Sequence, residues 1–293
     1  MVAAVVAFSA SSTVIRKAGA PGPTIAFWRM LMSSAVWIIV LRVREGRFVT
    51  TQEWRQSIVT GVVLGLNILL FYTAATRTSV ANLEFITALA PLLLIPAGAV
   101  LFHEKVDRRG ALFGLISIVG LALVLFNAPK RGAATWFGNG LALLSLVTWS
   151  SYIIASRQLR KGMSVATLMA AALPIATITT LPLVLLNHNI GDFDAHSMVY
   201  IVILTLMTGV IAHGLIVFSQ RNVPIGIMSM MQVGQPALAV VWSAIFLSQA
   251  IRPLQILGMC MVVFGLATVV VQTQRRTAKV LATENGELAG SAG

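Results

Sequence analysis

The sequence predicts an all-α integral membrane protein whose ten transmembrane helices form two five-helix repeats of inverted topology. Three observations carry this reading. The 293 residues are 57% hydrophobic and 10% charged, with a mean hydropathy of +0.88; a soluble shell could not be built from so few charges. The apolar runs reach the roughly 20 residues that a helix needs to cross a bilayer. Residues 91–125 also match residues 236–270 when slid by 145 positions.

Along the chain the spans fall at about 1–15, 23–41, 57–76, 79–102, 110–127, 135–156, 164–187, 197–219, 224–247 and 254–272. The first covers roughly 22 Å at 1.5 Å per residue, against a hydrocarbon core of about 30 Å, and so reads as missing residues at its start. It lacks the basic n-region of a cleaved signal peptide. The third and fifth contain GVVLG (61–65) and GALFG (110–114), whose small-xxx-small spacing lets helices approach closely. Short links leave no room for a soluble domain. The division is a first repeat at 1–128, a second at 129–272, and a polar tail at 273–293 read as disordered and cytoplasmic.

The net charge of +12 does not point to nucleic acid, because its distribution is topological. Loops assigned alternately to two sides carry 14 Lys and Arg on one side and 6 on the other, with Arg29 alone inside a span. This positive-inside bias places both termini in the cytoplasm. Cys260, the single cysteine, permits no intrachain disulfide, and no metal-ligand spacing or cofactor motif is present.

In the repeat, Pro91 falls on Pro236, and Gly120, Leu121 and Ala122 fall on Gly265, Leu266 and Ala267. Upstream, a shift of 141 sets Arg16 on Arg157 and Phe8-Ser9 on Trp149-Ser150. Five spans per half is an odd number, so the second half enters the membrane from the opposite face. That is an architecture of secondary transporters, with the substrate site near the midplane between the halves.

The stretch ALAPLLLIPAGAVLFHEKVDRRGALFGLISIVGLALVL (88–125) resembles the drug/metabolite transporter superfamily, EamA type. Pro91, Glu104, Gly114 and Gly120 match its pattern, and Arg29 matches the arginine of its second span. The second copy matches at Pro236, Gly258 and Gly265 but has Gln249 where the pattern has Glu. The resemblance implies a ten-helix inner-membrane carrier, commonly an exporter of amino acids or other small metabolites. Glu84 is not part of the shared pattern.

Glu84, Thr87 and Pro91 correspond under the shift to Ser229, Gln232 and Pro236, each trio on one helix stripe. Each proline leaves a carbonyl without its helical donor, which is tolerated beside a cavity or neighbouring helices. The two stripes are therefore expected to face each other across a hydrated cavity. Glu84 and Arg29 lie roughly 8 and 9 Å from the outer ends of their helices, and intramembrane charges pair or line a cavity. Four readings stay open: an Arg29–Glu84 ion pair that gates or binds a zwitterion, proton coupling at Glu84, Arg29 snorkelling outward as a structural anchor, and Glu84 as an outer-mouth residue bonded to Arg29 with no coupling role. Glu104, in the mixed-charge run HEKVDRR, reads as a local helix-end contact. His213 is the one histidine at membrane depth; Asn67 aligns within a residue of it. Gln235, Tyr72 and Trp149 complete the substrate-binding or gating candidates, weighed against ordinary packing.

One Glu and one His in the spans argue against an enzyme. A small-molecule carrier working by alternating access is the reading, with a channel-like facilitative pore and a non-transporting scaffold as rivals. The lipid bilayer and a small polar metabolite are the expected partners, amino acids first; protons and a homodimer remain open.

Overall fold

A computed structural model describes residues 1–78, 80–103, 108–126 and 135–247, together with most positions between 253 and 268. The junction near residue 128, Glu104, Gln249 and the tail 273–293 lie outside the described residues. Among the described residues the chain is all-α. Its elements are α1 (Val2–Ser9), α2 (Ser11–Ala18), α3 (Gly22–Glu45), α4 (Thr51–Arg77), α5 (Val80–Thr87), α6 (Ala90–Phe102), α7 (Arg108–Phe126), α8 (Trp136–Leu159), α9 (Val165–Leu186), α10 (Ala195–Leu204), a π-helical stretch Thr205–Ala212, α11 (His213–Ser219), α12 (Ile225–Gln232) and α13 (Gly234–Leu247).

Five helices among the described residues are long and apolar enough to cross a membrane: Gly22–Glu45, Thr51–Arg77, Trp136–Leu159, Val165–Leu186 and Ala195–Ser219. Their starts are set locally. Thr50 and Glu53 form a capping box on α4, and Thr135, Ser164 and Asp194 accept from the third backbone N–H of α8, α9 and α10. Gly46 ends α3 with φ 68°, a left-handed conformation that glycine adopts without a Cβ penalty.

Three expected spans are interrupted, two of them beside the expected helix-break residues Pro91 and Pro236 and the first where one helix was expected. The first breaks at Ala10, extends to Ala18, and bends where Ser9 Oγ donates back to Val6 O at 2.7 Å. The fourth and ninth break two to three residues before Pro91 and Pro236, at Ala88–Leu89 and at Val233. Proline cannot donate to the carbonyl four residues back. The turns close instead with three-residue bonds, Leu92 N to Leu89 O at 2.9 Å and Val233 N to Met230 O at 3.1 Å.

Hydrogen bonds gather the helix ends into two clusters. At one end Ser197 Oγ donates to Ala18 O (2.7 Å), Thr24 Oγ1 to Asn189 O (2.7 Å), Arg16 Nη2 to Thr78 O (2.7 Å) and Thr135 Oγ1 to Arg77 O (2.7 Å). At the other end Arg47 meets Glu45, Glu53 and Thr167, and Arg157 donates to Gln220 O and Val223 O. The helices between these clusters alternate in direction. As a result α8 runs against α1–α2, and α9 against α3.

The centre is α3, α4, α8 and α9 packed on one another. Gly61 and Gly65 of α4 lie on α9, where an added Cβ would sit 2.7 Å from Ala172 O and from Ala176 O. The GVVLG spacing thus serves intramolecular packing. Outward faces are apolar, for example Leu143, Leu144 and Val147 of α8 and Ile178, Leu185 and Leu186 of α9. Apolar area of that extent meets lipid in a membrane protein and would be a liability in water.

Candidate functional site

A cavity of about 80 Å³ lies between the two halves, well above the ~10–15 Å³ that one water requires. Its walls come from α1–α2, α3, α4 and the α5–α6 break, and on the other side from α8, the π segment with α11, and the α12–α13 break. The predicted polar stripes meet here. Thr87 and Pro91 line one wall, and Ser229, Gln232, Gln235 and Pro236 line the opposite one. Arg29, Asn67 and Tyr72 enter from the first half, Trp149 and His213 from the second.

Arg29 is the charged group of the cavity, 0% exposed. Its Nε donates to Thr208 Oγ1 at 2.8 Å, and its guanidinium carbon stands 5.6 Å from the Tyr72 ring centroid. Nη1 has no protein partner. His213 Nδ1 is 2.6 Å from Thr208 O, which assigns the proton to Nδ1 as donor. Arg29 Nη2 lies 3.3 Å from that same nitrogen. A guanidinium only donates, so the contact is a close approach rather than a second hydrogen bond. His213 Nε2 is then an acceptor, and it too lacks a protein partner.

The π-helical stretch makes this arrangement. Gly209 lies so close to α3 that a Cβ there would collide with Ser33 Oγ, and its carbonyl accepts from Trp37 Nε1 at 3.2 Å. Wide-turn segments of this kind recur at functional sites because they release backbone groups from the regular ladder. Here Thr208 presents its hydroxyl to Arg29 and its carbonyl to His213.

The remaining candidates are held by local bonds. Asn67 Nδ2 donates to Ser145 O (2.9 Å) and Ser145 Oγ (3.1 Å). Trp149 Nε1 donates to Gln232 Oε1 at 3.0 Å, which leaves the Gln232 amide nitrogen as a donor without a protein partner. Thr87 and Ser229 bond back to their own helices, at Leu83 O (2.9 Å) and Gly226 O (2.8 Å). Phe8 meets Trp149 edge-on at 6.0 Å and His213 at 5.0 Å.

The structure brings together every candidate except Glu84. That carboxyl is 1% exposed but does not line the cavity. The ion pair between Arg29 and Glu84 is absent: the ion pairs among the described residues are Arg47–Glu45 and Arg47–Glu53. Equal depth along two helices said nothing about azimuth, and Arg29 turns toward Thr208 instead. Snorkelling is excluded by the same burial. Sequence reasoning missed Thr208 and Ser145, which carry no charge or spacing signal. Phe8 was legible, since the 141-residue shift places it on Trp149.

Comparison with known proteins follows the same division. The model of the EamA-like transporter family matches residues 1–126 and again 136–271. The Pseudopaline exporter CntI of Pseudomonas aeruginosa, in strain UCBPP-PA14 and in strain PAO1, is 23% identical over 178 residues. The matched region is 60% of this chain and 62% of the exporter's own length. A solved structure described as "Crystal structure of protein" superposes with a TM-score of 0.79 over 92% of this chain and 96% of its own, at 17% identity. That likeness establishes the fold alone.

Proposed function

The chain belongs to the EamA-like transporter family and is a multi-pass membrane protein, and from this premise we propose that it exports a small carboxylate-bearing metabolite by alternating access. In this reading ten helices form two inverted five-helix halves in the inner membrane, both termini are cytoplasmic, and rocking about the two helix breaks opens the cavity to either side. The observation that carries it is Arg29, a buried permanent cation with an unused Nη1 at a cavity shared by both halves. A buried charge is costly unless paired, and a guanidinium matches a carboxylate in shape and charge.

Amino acids and related compounds remain the first substrate class. One arginine suits a single carboxylate better than a polyanion, which would need several buried cations. With Glu84 outside the lining, an ammonium group would be met by His213 Nε2 and the faces of Phe8, Phe71 and Trp149. Export is favoured by the likeness to the Pseudomonas relatives, which are exporters.

The test is uptake of a labelled amino-acid panel into proteoliposomes. Saturation with concentration and competition between substrates is the expected result. Flux that rises linearly and without competition would mean a pore, and no flux of any carboxylate would overturn the substrate class.

A further inference from the structure

Glu84 is a buried ionisable group that the cavity leaves unused. Neither carboxyl oxygen has a hydrogen-bond partner, and the Ser12 hydroxyl of α2 faces it without reaching bonding geometry. Helices α4, α7, α8 and α13 pack against α5, and the described ionisable side chains of α4 and α8 are turned elsewhere. On α4, Tyr72 faces Arg29 across the cavity and Arg77 is exposed at the helix end. On α8, Tyr152 packs against Trp149 and His213, and Arg157 is at the far end with Gln220 and Val223. Arg108 and Arg109 are the first two residues of α7. Helix α13 carries no ionisable side chain, and Arg16 of α2 is bonded to Thr78 O. Among the described side chains an ionised carboxylate there would face the Ser12 hydroxyl and no compensating charge, which disfavours the charged form.

The second half shows where position 84 can go. Ser229 occupies the equivalent place on α12, 145 residues on, and it lines the cavity. Helix α5 reaches the cavity one turn later, at Thr87 and Ala88, immediately before its break. If the two halves exchange conformations between the states of a transport cycle, as inverted repeats allow, position 84 takes the cavity-facing place that Ser229 holds here.

We propose that Glu84 is a proton-binding site, protonated in the conformation seen here and releasing its proton to cavity water when the α5 segment adopts the arrangement of α12. The inference rests on the transporter reading. The chemistry is one O–H bond broken, the proton passing to water and the electron pair staying on the carboxylate, which the wet cavity then stabilises. Proton release at one face and capture at the other would link the pH gradient to the cycle. Intramembrane acids serve this role in pumps and transporters.

Two measurements test it separately. Infrared difference spectroscopy of the purified protein on pH titration should show a protonated-carboxyl stretch at neutral pH, absent in Glu84→Gln and shifted in Glu84→Asp. In proteoliposomes a gradient of about one pH unit, coupled one-to-one, can drive about tenfold accumulation; Glu84→Gln should bring the ratio of accumulation to exchange down to about one. A wild-type spectrum with no protonated carboxyl near neutral pH would overturn the proposal, as would a Glu84→Gln variant that still accumulates substrate against the gradient. If Glu84→Gln fails to fold, the wild type and Glu84→Asp still decide the infrared arm. If no substrate moves at all, the transport reading fails while the spectrum independently decides the protonation.

Discussion

Arg16, on the last turn of α2, donates to Thr78 O at one end of the molecule; Arg157, 141 positions later on α8, donates to Val223 O at the other end. Thr78 and Val223 are themselves 145 positions apart, each just before a broken helix. The halves therefore repeat a backbone device, an arginine tying the entry of the broken helix to the end of its first span. They repeat Phe8 in Trp149 and Pro91 in Pro236 as well. They do not repeat their intramembrane charges. Arg29 falls among Ala170–Pro174 in the second half, and Glu84 falls on Ser229. The scaffold is symmetric and the chemistry is not, which is what a carrier needs if matching hinges face both sides while one substrate is recognised.

The largest expected effect tests the asymmetry. Arg29→Ala should weaken carboxylate binding by about 2–5 kcal/mol, the usual cost of deleting one partner of a buried charge pair, while Arg29→Lys retains part of it. Equilibrium binding of the best amino acid checks this, and an unchanged affinity would remove Arg29 from the site. The symmetric device is tested next. Arg157→Ala removes contacts to two carbonyls and Arg16→Ala to one, at about 1.5–3 kcal/mol for a charged hydrogen bond. Amide hydrogen exchange should rise in residues 225–232 in the first variant and in 80–87 in the second. An equal rise in both segments would break the comparison.

Close packing separates the halves again. Gly209→Ala and Gly65→Ala each force a methyl into a tight contact, with Ser33 Oγ and with Ala176 O, costing about 1–3 kcal/mol. Both should lower thermal stability in detergent, but only Gly209→Ala should also reduce affinity, because Gly209 adjoins Thr208. The smallest effect belongs to the loop 46–50. The Ser164 hydroxyl, then Arg47, holds Glu45 below the usual carboxylate range, and Arg47 does the same for Glu53. Their contribution is full above the unfolded carboxylate value near 4. It is lost as pH falls through the lower folded values. The groups are partly exposed, so a thermal scan should show a loss on the order of 0.5 kcal/mol or less.

Much of the candidate site was legible in the sequence. The 145-residue shift, anchored on Pro91 and Pro236, located both broken helices, and their polar stripes meet at the cavity except at Glu84. A proline in a span marks its own consequence, because the missing donor is a local property. What failed was the pairing of Arg29 with Glu84. Residue counts give depth along a helix, whereas contact across a bundle depends on how each helix is rotated.

By itself the sequence determined the all-α membrane character, the internal repeat and the positions of two helix breaks, since apolar length, residue identity and missing N–H groups are local quantities. The tertiary structure alone decided that a π-helical turn brings Thr208 to Arg29, that His213 presents Nε2 as acceptor, and that Glu84 is buried behind the cavity wall rather than in it. Those follow from close approach between helices far apart in sequence, such as Gly209 on Ser33, and no local pattern encodes the rotation that such packing selects.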